Sequence, residues 1–134
     1  MTVVDASAVV DLLTPPDVER REFLLAQLPE PGEPWLAPDI LAFEVFSVMR
    51  RHVLRGMLTS NLAVTALRRL GRLPVEFVHT PSLLDAAWAL RERFSAADSL
   101  YAALAIRSGE PLLTSDMRLA RAAGDAGIDV RQPS

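Results

Sequence analysis

The sequence predicts an α/β domain: a central, mostly parallel sheet of four to five strands with helices covering both faces. Three observations predict it. Short β-rich runs alternate with longer helical stretches from one end of the chain to the other. No two strand-like runs are joined by a turn alone, so hairpins are excluded and crossover helices must return the chain for parallel pairing. Half of the 134 residues are apolar, enough for a real core in a single domain, 1–134.

The elements follow in order. Val3-Val4 reads as a buried strand. Thr14-Pro15-Pro16-Asp17 reads as an N-cap with proline at N1 and an acid at N3, opening a helix to about Leu28. The turn-rich PEPGEP (29–34) leads to a short strand at Trp35-Leu36. Pro38 and Asp39 start a strong helix to about Leu54, stopped at Gly56. Thr59 caps another helix to about Leu70, before Gly71. VEFV (75–78) alternates like a strand. Thr80-Pro81 starts a helix to Phe94, Ser95 caps the next to Ser108, and Gly109 stops it. PLL (111–113) is a strand, Asp116 to Ala126 a helix, and IDV (128–130) a terminal strand.

In an open parallel sheet, ligands bind beyond the carboxyl ends of the strands. Asp5 ends the first strand, and Asp116 follows PLLTS at the end of another. Asp116 also reads as an N-cap of the last helix; Asp5 is harder to read as a cap. Glu44 stands among Ile40, Leu41, Phe43, Val45 and Phe46, either on a narrow solvent stripe or held in a cleft. Ser47 and Arg51 share its helical face. Asp98 closes Ser95-Ala96-Ala97-Asp98, a capping-box pattern with aspartate in the place of Glu or Gln.

Composition prunes the alternatives. The net charge is 14 − 17 = −3, which excludes a uniformly basic nucleic-acid binder. Arg50, Arg51, Arg55, Arg68, Arg69 and Arg72 nevertheless cluster on two consecutive helices, either a solvated face or a polyanion contact. There is no cysteine, hence no disulfide or thiolate metal site, in keeping with a cytoplasmic protein. All 14 strongly basic side chains are arginine. The missing lysine removes P-loop and Schiff-base chemistry and disfavours a phospho-receiver. His52 and His79 have no metal-type spacing, and no G-x-S-x-G or glycine-rich phosphate loop occurs. No apolar run reaches membrane-span length, and no signal peptide opens the chain.

Four stretches together resemble the PIN domain: VVDASAVVDLL from Val3, P-x-x-L-x-x-E at Pro38, Leu41 and Glu44, ADSLYAALA from Ala97, and LLTSDMRLARAA from Leu112. The resemblance covers nearly the whole chain. It implies a three-layer α/β/α sandwich and a metal-dependent ribonuclease, with small single-domain members most often the toxins of VapBC toxin–antitoxin pairs. By it, Asp5, Glu44, Asp98 and Asp116 form an acidic quartet holding Mg²⁺ or Mn²⁺. Ser7 and Thr114 fall where the family places small polar residues assisting the site, and Tyr101 where it places a tyrosine one turn after the third acid. Ser47 departs from the asparagine of many relatives. The resemblance also implies an RNA substrate, a cognate antitoxin, and a homodimer or a heteromer with that antitoxin. A PIN nuclease of RNA processing without an antitoxin, and a silent PIN binding module, are the alternatives.

The physics is compatible. Two carboxylates ~5 Å apart repel by about 3 kcal/mol at an effective dielectric of 20. Four cannot all stay ionised without cations among them, and oxygen-only ligands suit hard Mg²⁺ or Mn²⁺.

Overall fold

The first strand is short because Asp5 ends it. In the computed structural model, which describes residues 1–133, Val3–Val4 form β1 and both valines are fully buried. The chain turns directly into α1, Ala6–Leu13, a helix the sequence did not announce. Asp5 is its N-cap: the backbone is extended and Oδ1 accepts the Ala8 N–H at 3.1 Å. The expectation that Asp5 makes a poor cap is therefore corrected. Val9 and Val10 lower the intrinsic helix propensity of this segment, but burial of Ala8, Val9, Val10, Leu12 and Leu13 decides the outcome. Thr14 accordingly closes α1 instead of opening the next helix; its N–H and hydroxyl both donate to the Val10 carbonyl.

Asp17 caps α2, Val18–Ala26, by accepting the Arg20 N–H at 2.7 Å. β2 is Trp35–Pro38, two residues longer than expected, which delays α3 to Leu41–Leu54. Leu36 donates to the Thr2 carbonyl, so Pro38 would face β1 in the same way. Having no N–H, it ends that ladder beside Asp5. Thr59 caps α4, Ser60–Leu70, and β3 is Val75–Val78, both as expected. The expected helix over 80–94 breaks into a 3₁₀ turn, Thr80–Leu83, and a short α5, Leu84–Trp88. Ser82 contributes to the tight turn, taking the His79 carbonyl with both its N–H and its hydroxyl. Ser95 caps α6, Ala96–Ser108, which ends at Gly109 in the left-handed conformation (φ 70°). β4 is Leu112–Leu113, α7 is Met117–Asp125 with Asp116 as N-cap, and β5 is Val130–Arg131.

All five strands are parallel, in the order β3-β2-β1-β4-β5. The chain winds outward from β1 to β3, then returns to the other side of β1 for β4. Right-handed crossovers place α1–α4 on one face and α5–α7 on the other, giving the three-layer sandwich. Helices α1, α3 and α4 pack together on the first face, and α5 packs on α6 on the second. α6 is the central helix, buried continuously from Ser99 to Ala105. Winding in opposite directions from β1 and β4 opens a crevice between their carboxyl ends, the place such a sheet offers a ligand. No helix among the described residues is long and apolar enough to cross a membrane.

Candidate metal centre

Asp5 and Asp116 stand at that crevice. Asp5 is 5% exposed, and both of its oxygens are engaged. Oδ1 accepts the Ser7 hydroxyl at 2.8 Å as well as the Ala8 N–H. Oδ2 accepts the hydroxyl of fully buried Thr114 at 2.7 Å and is 3.0 Å from Ser7 Oγ. The β4 end is tied into the same net. Ser115 N–H donates to Ser7 Oγ at 2.9 Å, and Asp116 N–H donates to Thr114 Oγ1 at 3.0 Å. Asp116 turns Oδ1 to the Arg118 and Leu119 N–H groups that open α7. Ser7 and Thr114 thus hold the Asp5 carboxyl through both of its oxygens.

The other two acids come from helices. Glu44 lies in the first turn of α3, half-buried, and its Oε1 accepts the Tyr101 hydroxyl at 2.7 Å. Tyr101 is buried on α6, so this bond joins the two helical layers. Asp98 lies in the first turn of α6, where its N–H donates to Ser95 Oγ at 3.2 Å. The capping is done by the serine hydroxyl, and the Asp98 carboxyl is left half-buried. Ser47 makes no hydrogen bond to Glu44, and the donor to its carboxyl is Tyr101.

Charges in this crevice disturb one another. Burial raises Asp5 to about 7 despite the lowering effect of Thr114, Ala8 and Ser7, and the Asp116 charge adds to the rise. Burial and then Asp116 raise Asp98, against Ser95. Burial and the charge of Asp98 raise Glu44, against the Tyr101 bond. Burial and the Glu44 carboxylate hold the Tyr101 hydroxyl firmly protonated, as a donor. The couplings link Asp5 to Asp116, Asp116 to Asp98, and Asp98 to Glu44.

The four acids are neighbours without forming a closed ring. Among the described residues, no three His, Cys, Asp or Glu side chains are already gathered around one point as a ligand set. The donor chemistry fits a hard divalent cation: oxygen only, three carboxyls raised by burial and by neighbouring charge, and one buried hydroxyl, Ser115 Oγ, without a partner.

Two further features escaped the sequence reading. Ser115 joins the net through its backbone, which nothing in its neighbours signals. Asp39 and His79 follow β2 and β3 and lie 3.5 Å apart; the strand-end rule that singles out Asp5 applies equally to them. The six arginines on and just after α3 and α4 are exposed, and none forms an ion pair among the described residues.

The PIN domain family model matches residues 2–125. Ribonuclease VapC3 of Mycobacterium tuberculosis is 40% identical over 120 residues, covering 90% of this chain and 85% of the relative. Ribonuclease VapC1 of the same organism is 37% identical, covering 91% and 90%. Among solved structures, Mycobacterium tuberculosis VapC20, a sarcin–ricin loop cleaving toxin, superposes with a TM-score of 0.70 at 19% identity, covering 96% of each chain. That likeness supports the fold.

Proposed function

The chain belongs to the PIN domain family, and on that footing we propose that it is a Mg²⁺- or Mn²⁺-dependent endoribonuclease, the toxin of a VapBC-type toxin–antitoxin pair. The observation that carries the reading is the run of mutually perturbed acids at the switch point of the sheet, Asp5 with Asp116, Asp116 with Asp98, and Asp98 with Glu44. The ribonuclease names of the relatives supply the substrate class.

In this reading the four carboxyls hold the cation. A bound divalent ion would polarise the scissile phosphate, lower the pKa of an attacking water and stabilise the leaving oxygen. Ser7 and Thr114 fix Asp5, so its carboxylate needs no reorganisation when a cation binds. Tyr101 occupies one oxygen of Glu44 and leaves the other for the ion. Asp116 keeps one oxygen on the helix N–H groups and offers the second. No histidine is needed as a base.

The partners belong to the same proposal: RNA, a cognate antitoxin, and a second copy of the chain, in the cytoplasm. A groove of about 570 Å³ between α1 and the α3–α4 corner, lined by Val10, Leu13, Met57 and Leu62 among others, supports an apolar antitoxin segment. Exposed Phe43, Phe46, Leu84 and Trp88 support burial against a partner chain.

The test is RNA cleavage by the purified protein in Mn²⁺, in chelator, and with Asp5→Asn. Cleavage is expected in Mn²⁺ alone and is abolished by the substitution, which removes a charge while nearly preserving shape. Cleavage by Asp5→Asn within a few-fold of wild type would overturn the site.

A further inference from the structure

Carboxylates and the cation they would hold act on a phosphodiester, a group RNA and DNA share. Preference for RNA must come from residues that meet the sugar, because the 2′-hydroxyl is what distinguishes the two. Asp39 and His79 form a polar pair at the same sheet edge as the acids. β2 and β3 end side by side, with Pro38 opposite Val78, so both residues leave the sheet at the edge where Asp5 lies. Val3 is opposite Leu36, which sets Asp5 level with Pro38. His79 is then two strand spacings from Asp5, about 10 Å, on the side from which α3 brings Glu44.

The pair is built rather than incidental. Asp39 N–H donates to the Val78 carbonyl at 2.9 Å, and Asp39 Oδ1 accepts the Thr80 N–H at 3.3 Å together with the Thr80 hydroxyl. The Thr80 hydroxyl, above all, holds the Asp39 carboxyl below its ordinary range, so it stays an anion. Its Oδ2 lies 3.5 Å from His79 Nδ1, and the histidine side chain is 76% exposed. The His79 carbonyl accepts the Ser82 N–H at 3.0 Å and the Ser82 hydroxyl at 2.6 Å, which fixes the backbone beneath the ring. In a neutral imidazole one nitrogen donates and the other accepts, and the partner decides which. With Asp39 Oδ2 on the Nδ1 side of the ring, Nε2 is the nitrogen left for a ligand.

We propose that His79, oriented by Asp39, accepts the 2′-hydroxyl of a nucleotide flanking the scissile phosphate and gives the site its preference for ribose over deoxyribose. This rests on the nuclease reading above.

The test uses a mixed-sequence single-stranded RNA, the same sequence as DNA, and RNAs carrying single 2′-deoxy nucleotides stepped across the mapped cleavage point, all in Mn²⁺. Wild type should lose about three- to tenfold in kcat/KM at one deoxy position, the worth of one hydrogen bond. His79→Ala and His79→Phe should lose as much on all-ribose RNA and no longer respond to that deoxy position. Their melting temperature and its rise with Mn²⁺ should match wild type, because the ring is exposed. Variants that keep the wild-type response at every deoxy position, or that lose equally on all substrates, overturn the proposal. A wild type that cleaves RNA and DNA alike overturns it and leaves the nuclease reading standing; one that cleaves neither removes both.

Discussion

The two halves of the acidic crevice are built on different principles. On the strand side, Asp5 and Asp116 are helix N-caps, and with Ser7 and Thr114 they form a hydrogen-bonded corner. On the helix side, Glu44 hangs from α3 by one bond to Tyr101, and Asp98 stands in the first turn of α6 with Ser95 doing the capping. The difference teaches that capping and ligation are not rivals. Asp116 satisfies its helix with Oδ1 alone, which on the proposed reading leaves its second oxygen for a cation. The strand side is held by bonds the fold requires, so its carboxylates are positioned before any cation arrives. The helix side depends on side-chain contacts that can be removed without unfolding anything.

The largest expected effect comes from pH on the strand side. Asp5 is raised from 3.8 to about 7 in the folded protein, chiefly by burial. Between those values the native state keeps a proton that the unfolded chain has lost. Stability from this group is therefore full below about pH 4, falls as pH rises to about 7, and is absent above. At about 1.4 kcal/mol per pKa unit, the span is up to roughly 4 kcal/mol. Without metal, Asp5→Asn should melt above wild type at pH 8 and converge with it near pH 4. Urea titrations in chelator across that range check the sign; parallel curves would mean that Asp5 titrates normally.

Thr114→Val attacks the same corner without touching a charge. It keeps the shape but strips Asp5 Oδ2 of a donor and Asp116 N–H of its acceptor. Leaving such groups unpaired in a fully buried place costs about 1–3 kcal/mol. Chemical denaturation should show a loss of that size, and a change within a few tenths would mean that the corner is held by Ser7 alone.

The strand side was also where the sequence was most and least legible. Val-Val-Asp and Leu-Leu-Thr-Ser-Asp marked two strand ends and the acids that follow them; the cap at Asp116 was legible and the cap at Asp5 was not. The helix that Asp5 caps was not legible. Its paired valines lower the helix propensity, and only tertiary burial overrules that. Glu44 stood out as an acid amid apolar neighbours, but its bond to Tyr101 crosses 57 positions and leaves no local trace. The capping pattern at 95–98 was readable and correct for Ser95; it could not say what the Asp98 carboxyl faces. The break-up of the expected 80–94 helix was missed because Ser82 and its turn are set by the His79 carbonyl, a contact no periodicity encodes.

Tyr101→Phe moves to the helix side and should be milder. The ring stays in the core while Glu44 loses its donor and, being half-buried, can turn toward water. The expected loss of metal-free stability is under about 1 kcal/mol. The clearer effect is on Mn²⁺. A ligand at a hundredfold excess over its Kd stabilises by about 2.7 kcal/mol, and a loosened Glu44 should need more Mn²⁺ to reach it. Melts across a Mn²⁺ titration check this; an unchanged midpoint would make Tyr101 purely a core residue.

Asp98→Asn carries the smallest change in stability and the sharpest sign. If the carboxylate served chiefly the helix end, its loss would cost about 0.3–1 kcal/mol through the helix dipole. The Ser95 hydroxyl to Asp98 N–H bond survives the substitution, so the cap itself is untouched. Against the dipole stand burial and the charge of Asp116, which together raise Asp98 above its ordinary value. A raised acid means that the charged form is disfavoured in the folded state, so at neutral pH the neutral amide is the easier occupant. The metal-free variant should melt at the wild-type temperature or slightly above it. Adding Mn²⁺ should then stabilise wild type more than the variant, reversing the order. Thermal melts of both proteins in chelator and across a Mn²⁺ titration separate the outcomes: a lower metal-free melt with an unchanged Mn²⁺ response would leave Asp98 a helix-end acid and reduce the crevice to three ligands.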